Sequence, residues 1–207
     1  MRQVRILIWA ALVVGGLAVF ALYRLGDQKQ SQAQGELGRV PAFALTDQLG
    51  KPFGSAQLAG RPWIANFVFT RCPSVCPLLT AKFKSLQSKL TDVPDVQFVS
   101  FSVDPEHDTP PVLNEYAQKY DAGPSWHFLT GPLDTIEKTV VSGFKIHIGD
   151  PKPSENDPTL VEIMHGEHFV LVDAKGTIRG YYRAEPAELT QLAEDLRAMA
   201  KERLATR

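Results

Sequence analysis

The sequence predicts an α/β domain with a mixed β-sheet flanked by helices, preceded by an N-terminal transmembrane helix. Three observations carry this prediction. Short β-branched or aromatic runs alternate with segments of helical apolar spacing, a hairpin pattern and a helix close the chain, and residues 6–23 contain no charged residue. With 207 residues, 44% of them hydrophobic, and a net charge of -1, the chain fits one ordinary domain with appendages, and its charge does not indicate nucleic-acid binding.

The N-terminal run from Ile6 to Tyr23 is predicted to cross a membrane. Its eighteen uncharged residues would form roughly 27 Å of helix, close to the hydrocarbon thickness of a bilayer. Arg2 and Arg5 precede it, which predicts a single-pass protein of a bacterial-type inner membrane with its soluble domain on the periplasmic side. A cleaved signal peptide is the alternative. The predicted organisation is an anchor over residues 1–26, a flexible linker over 27–39 and a folded domain over 40–207.

The folded domain is predicted to begin with a β-hairpin, because Phe43 and Leu45 alternate with alanines and residues 47–50 form a turn pattern. The apolar run over 64–69 then predicts a buried central strand. Helical apolar spacing from Pro77 to about Leu90 predicts the helix that follows it.

The remaining predicted elements continue the alternation of strands and helices. In order they are a strand over 96–103, a helix from Pro110 capped by Thr109, a strand over 126–129, a helix over 133–141, an extended segment over 144–148, an exposed loop over 151–158, a strand over 168–172, a turn over 173–176, a strand over 177–182 and a helix over 186–204. This order fits a thioredoxin-like fold.

The only two cysteines, Cys72 and Cys76, lie between the predicted central strand and its helix. Pro77 suits the first turn of a helix, which puts Cys76 at the helix N-terminus and Cys72 in the turn before it. Because that end of a helix is electropositive, both thiols are expected to ionise more readily than free cysteine. A structural disulfide, redox exchange and metal binding all remain open, although the C-x-x-x-C spacing differs from the C-x-x-C of thioredoxin-like redox motifs.

Two thiolates favour Cu(I) or zinc, and either metal would require at least one further ligand, for which histidine is the natural candidate. His127 and His147 fall within extended segments and are interpreted as structural. Three acidic residues, Asp104, Glu106 and Asp108, flank His107 in the loop after a central strand, where α/β folds place their chemistry. His165 and His168 lie before and at the start of the strand over 168–172, which faces the cysteine turn in a thioredoxin-like fold.

Four segments together carry a family resemblance. They are FVFTRCPSVCP over residues 67–77, SVDPEHDTP over 102–110, LTG over 129–131, and His165 placed eleven residues before Gly176. On these segments the chain resembles the Sco/SenC family of membrane-anchored copper proteins, which help to assemble the copper centre of cytochrome c oxidase. The resemblance spans roughly residues 43–182 and implies that Cys72, Cys76 and His165 bind one copper ion, as Cu(I) or Cu(II).

The chain departs from the family pattern at three positions. Ser74 stands where the family often has an acidic residue, His107 where it often has arginine, and Met164 where an aspartate often precedes the histidine. That aspartate would orient the imidazole, so its absence makes His168 or Glu167 a candidate for the same task. Asp104, Met164 and His168 are the candidate residues around the metal ligands.

The resemblance implies a copper chaperone rather than an enzyme, which delivers copper to, or prepares, the copper centre of cytochrome c oxidase. Its implied partners are the copper-containing subunit of that oxidase and other copper chaperones. A thiol–disulfide oxidoreductase that uses Cys72 and Cys76 to reduce a target protein is the alternative from another class. Zinc bound by the same two cysteines and His165 is a third interpretation.

Overall fold

The structure is a computed structural model of the chain and describes Gly15 and residues 37–73, 75–93, 95–149, 152–153, 161–162 and 167–205. The chain divides into two units, Met1–Ala33 and Gln34–Arg207, and the fold described below is that of the second unit. The predicted anchor, apart from Gly15, and residues 27–36 of the predicted linker lie outside the described residues. No helix among the described residues is long and apolar enough to cross a membrane.

Strands and helices alternate along the second unit as the sequence predicts. The strands are β1 (Ala44–Asp47), β2 (Pro52–Gly54), β3 (Trp63–Val68), β4 (Gln97–Ser102), β5 (Trp126–Thr130), β6 (Lys152–Pro153), β7 (Val161–Glu162), β8 (His168–Val172) and β9 (Ile178–Arg183). The helices are α1 (Ser55–Leu58), α2 (Val75–Lys89), α3 (Pro110–Lys119), α4 (Leu133–Glu137), a π-helix (Lys138–Gly143) and α5 (Pro186–Ala205).

The main sheet has seven strands in the order β2-β1-β5-β4-β3-β8-β9. Its centre is parallel, since β4 pairs in parallel with both β3 and β5. The outer neighbours β1 and β8 are antiparallel to the central strands, so the sheet is mixed as predicted. The carboxyl ends of β3, β4 and β5 therefore meet at one edge of the sheet, which we call the carboxyl edge.

Both faces of the sheet are covered, which explains why β3 and β4 are buried along their whole length. Alternate residues of β3 enter different clusters. One, the cysteine-side core, includes Trp63, Ala65, Phe67, Phe69, Cys76, Phe101, Phe144, Val170 and Val172. The other, the helix-side core, includes Ile64, Val68, Phe83, Phe98, Leu113, Trp126, Phe169, Leu171, Leu192 and Leu196.

Two parts of the chain differ from the sequence prediction. The segment over 144–148 forms no strand, because it follows the π-helix and turns at Lys145, whose φ is 57°. It still buries Phe144 and Ile146 in the cysteine-side core. The loop predicted over 151–158 contains β6, which pairs with β7. Strands of two residues are too short to show an alternating pattern, and the other residues of that loop lie outside the described part of the chain.

Candidate metal centre

The candidate site lies at the carboxyl edge, where the residues that follow β3 and β4 come together. Helix α2 begins at Val75, slightly before the predicted start at Pro77, so Cys76 lies in its first turn and Cys72 in the turn before it. The parallel pairing of Val68 with Ser102 brings the cysteine turn beside the loop over 103–109. Two neighbouring loops thus form the site.

The two cysteines are in contact but differ in their access to solvent. The backbone N–H of Cys76 donates a hydrogen bond to Cys72 Sγ at 3.3 Å, and the Cys72 N–H donates to the Phe69 carbonyl at 3.3 Å. No disulfide joins them. Cys76 is 0% exposed, whereas Cys72 is half-buried and packs against the cysteine-side core. Cys72 is therefore the sulfur that a reagent or partner reaches first.

The sequence-based expectation of a readily ionised thiol is wrong for Cys76. Its hydrogen bond with the Cys72 side chain, followed by burial, raises the pKa of Cys76 far above its ordinary value, although a backbone hydrogen bond involving Phe69 acts in the opposite direction. The helix N-terminus does not compensate for an apolar environment that disfavours the thiolate. A metal that binds Cys76 would therefore have to displace its proton.

Asp104, one of the predicted residues around the site, holds the residue next to Cys72. Its Oδ2 accepts hydrogen bonds from Arg71 Nε at 2.9 Å and from Arg71 Nη2 at 2.6 Å. Asp104 is 6% exposed, so this ion pair is largely shielded on the carboxylate side. The predicted proximity of Asp104 to the cysteine turn is thus explained by a contact with Arg71.

Asp108 is a contact that the sequence reasoning missed. It is fully buried and accepts hydrogen bonds from the Thr70 N–H, the Thr70 hydroxyl and the Ser102 hydroxyl. Burial raises the pKa of Asp108, and the hydrogen bonds from Thr70 and Ser102 oppose that shift. The sequence signal for this contact was the position of Asp108 in the SVDPEHDTP motif, in the loop after β4, together with Thr70 in the turn after β3.

The candidate histidine ligand lies outside the described residues, as do Met164 and Ser74. His168, the first residue of β8, is half-buried and pairs with Arg183. By alternation it shares a face of the sheet with Val170 and Val172, which belong to the cysteine-side core. Glu167 is exposed.

The other three histidines have different environments. His107 is exposed, and its N–H donates to the Asp104 carbonyl at 3.1 Å. His127 stacks on Phe53 with ring centroids 4.1 Å apart, and burial lowers its pKa. His147 is exposed. Within the described residues, no three side chains of the His, Cys, Asp and Glu types are grouped as a metal would need.

The start of β8 lies at the same edge as the cysteine turn. β8 is antiparallel to β3, with Ala65 opposite Val170 and Trp63 opposite Val172. Residue numbers rise along β3 while those of the paired residues in β8 fall, so His168 lies toward the carboxyl end of β3. The cysteine turn follows β3 at that same end. Strand β8 therefore begins at the carboxyl edge.

Comparison with known proteins gives consistent matches. The family described as SCO1/SenC matches residues 31–201. A SCO1 protein homolog from Bacillus subtilis is 32% identical over 163 residues, which cover 77% of this chain and 81% of that protein.

Two solved structures share the fold. ScoI from Bradyrhizobium japonicum with copper bound has a TM-score of 0.66 and 27% identity, covering 78% of this chain and 99% of that one. BsSco, described as a member of the Sco family of cytochrome c oxidase assembly proteins in which a disulfide switch was identified, has a TM-score of 0.70 and 31% identity, covering 82% of this chain and 98% of that one. These matches confirm the predicted thioredoxin-like class of the domain, and the chain belongs to the SCO1/SenC family.

Proposed function

We propose that this chain is a membrane-anchored copper chaperone that binds one copper ion through Cys72, Cys76 and His165. It would deliver that ion to, or prepare, the copper centre of cytochrome c oxidase, with the copper-containing subunit and other copper chaperones as partners. The observation that carries the proposal is the pair of cysteines in contact at the carboxyl edge, where β8 also begins. Relatives with bound copper and with a role in oxidase assembly support it.

The donor set suits copper as a cargo. Two sulfurs and an imidazole are soft enough for Cu(I), and the same groups can hold Cu(II) in a more distorted arrangement. His165 is three residues before His168, so an extended chain would place it within about 10 Å of the start of β8. Half-buried Cys72 offers a route for ligand exchange with a partner, while buried Cys76 retains the ion.

Thiol–disulfide exchange is the second candidate function, and the unequal access of the two sulfurs favours it. The Cys72 thiolate would attack a target disulfide to form a mixed disulfide and release one target thiolate. Cys76 would then attack Cys72 Sγ, release the second target thiol and leave a Cys72–Cys76 disulfide. Two electrons pass to the target in this sequence. The disulfide switch identified in BsSco supports this alternative.

Metal and disulfide are expected to compete for the same two sulfurs. Oxidation of Cys72 and Cys76 to a disulfide should abolish Cu(I) binding. With free Cu(I) at 100 times its Kd, about 1% of the protein is unliganded, so alkylation of both thiols should slow about 100-fold. The measurement is mass spectrometry of iodoacetamide-treated protein with and without Cu(I).

Equal alkylation rates in the two samples would contradict shared ligation by Cys72 and Cys76. A chain that binds no Cu(I), but forms a mixed disulfide through Cys72 with a disulfide-containing peptide, would favour the oxidoreductase function instead.

The anchor in this proposal is Ile6 to Tyr23, spanning a bacterial-type inner membrane once. Its eighteen residues carry no charge, and Arg2 and Arg5 precede it. The full-length chain is expected to stay in the membrane fraction after carbonate washing, because hydrophobic insertion does not depend on surface charge. A chain that begins at Gly35 should be soluble and keep its Cu(I) binding. Release of the intact full-length chain by carbonate would contradict the anchor.

A further inference from the structure

Asp108 is a buried carboxylate that contacts Thr70, two residues before Cys72. It is 0% exposed. Its two oxygens lie 3.2 Å from the Thr70 N, Oδ1 lies 2.6 Å from the Thr70 hydroxyl, and Oδ2 lies 2.7 Å from the Ser102 hydroxyl. Among the described residues no cationic side chain forms an ion pair with it. Neutral donors alone therefore satisfy this carboxylate.

These donors connect two separate loops. Thr70 follows β3 and lies two residues before Cys72, while Asp108 is in the loop after β4 and donates its own N–H to the Asp104 carbonyl at 2.9 Å. Asp104 in turn binds Arg71. Two consecutive residues before Cys72 are thus held by two carboxylates from one neighbouring loop.

The two contacts differ in their surroundings. The Arg71 side chain is 32% exposed, so water screens its ion pair with Asp104. The Thr70 contact is made to a carboxylate that solvent does not reach, where hydrogen bonds are electrostatically stronger. Asp108 therefore makes the contact with the start of the cysteine turn that solvent screens less.

We propose that Asp108 is a positioning residue for the cysteine pair: by holding Thr70 it fixes the turn in which Cys72 Sγ accepts the Cys76 N–H. The part of this inference that concerns copper affinity rests on the proposed function. The part that concerns the geometry and reactivity of the two thiols does not. Asp108 touches neither sulfur in any contact described above, but its charge adds to the raised pKa of Cys76. Thr70→Val keeps that charge and therefore isolates the effect that passes through Thr70.

A carboxylate suits this position better than an amide. Two acceptor oxygens serve the Thr70 N–H, the Thr70 hydroxyl and the Ser102 hydroxyl at once. In Asp108→Asn one oxygen becomes an NH2 group, which is a donor. A hydroxyl can rotate to accept from that group, but the Thr70 N–H cannot, so in either orientation of the amide this N–H keeps one acceptor and faces a second donor where the other oxygen was.

The test uses substitutions at both ends of the contact in the purified full chain. Thr70→Val removes the hydroxyl donor and keeps the side-chain shape, Thr70→Ser keeps the hydroxyl, and Asp108→Asn changes the acceptor. Thr139→Val is the control, because it removes the hydroxyl of a second threonine, itself buried, which donates to the Thr135 carbonyl at 2.7 Å. The readouts are the ratio of Cys76 to Cys72 alkylation rates without copper, the Cu(I) affinity, the Cu(II) absorption spectrum and the thermal midpoint.

Thr70→Val and Asp108→Asn are expected to raise the Cys76 to Cys72 alkylation ratio, to change the Cu(II) spectrum and to weaken Cu(I) binding by about 10-fold, the lower end of the range for outer partners of metal ligands. Thr70→Ser and Thr139→Val should keep the wild-type ratio, spectrum and affinity. If Asp108→Asn fails to fold, the comparison of Thr70→Val with Thr70→Ser still tests the inference.

Two results would overturn the inference. One is a Thr70→Val protein with a lower thermal midpoint but a wild-type alkylation ratio, which would make the contact merely structural. The other is Thr70→Ser behaving like Thr70→Val, which would show that the hydroxyl is irrelevant. Failure of the wild-type chain to bind copper would overturn the proposed function but leave the alkylation ratio as the test of Asp108.

Discussion

Cys76→Ala is expected to abolish stable Cu(I) binding, with a loss well beyond the about 100-fold that an outer partner of a ligand can cost. The substitution removes one of the two soft donors in the proposed site, and Cu(I) depends on sulfur for its affinity. Alanine is the better replacement here, because Cys76 is 0% exposed and a serine hydroxyl would be buried in the cysteine-side core. Competition titration against a Cu(I) chelator measures the effect.

Cys72→Ser is the matched variant, since Cys72 is half-buried and its hydroxyl replacement can reach water. It should lose Cu(I) binding to a similar extent while the fold, followed by circular dichroism, is retained. Wild-type Cu(I) affinity in either folded variant would rule out the two-cysteine site.

The order of elements could be predicted from the sequence because each depends on a local pattern. The apolar run over 64–69 predicted β3, and Pro77 with the leucine and phenylalanine spacing after it predicted α2. Thr109 and Pro110 likewise marked the start of α3. Such signals require only neighbours in the chain, and they also placed the cysteines in a turn before a helix.

The ionisation of Cys76 could not be predicted in the same way. Its position in the first turn of α2 is a local fact, and the argument from helix electrostatics used only that fact. The pKa of Cys76 is raised first by its hydrogen bond with the Cys72 side chain and then by burial in the cysteine-side core, whose members Phe67 and Phe101 lie on different strands. The conformation of the turn and the tertiary environment together therefore overrode the helix preference.

The contact between Thr70 and Asp108 was hidden for a related reason. The two residues are 38 positions apart, and they meet only because β3 and β4 pair in parallel with Val68 opposite Ser102. The sequence predicted both strands but not their register, so it identified Asp108 only as an acidic neighbour of His107. The parallel pairing brings Asp108 into contact with Thr70, where it is buried and holds the start of the cysteine turn.

The candidate imidazole ligand can be tested by separating His165 from His168. His165 occupies the ligand position implied by the family resemblance, and the residue before it is Met164 rather than a carboxylate that would orient the ring. His168 begins β8, pairs with Arg183 and is half-buried. Hydrogen bonds from the Arg183 backbone and side chain, with a further contribution from His168, lower the pKa of Glu188. His168 thus lies within electrostatic range of a surface ion pair at the β8–β9 side of the sheet.

His165→Ala is therefore expected to lower copper affinity more than His168→Ala, because loss of a direct nitrogen donor exceeds the about 10- to 100-fold cost of losing an outer partner. The Cu(II) spectrum should lose its nitrogen contribution in His165→Ala and keep it in His168→Ala. Exposed His147 supplies the control, since His147→Ala removes an imidazole without changing either candidate. We would reassign the ligand to His168 if His165→Ala kept the wild-type nitrogen and sulfur signature and Cu(I) affinity while His168→Ala lost both.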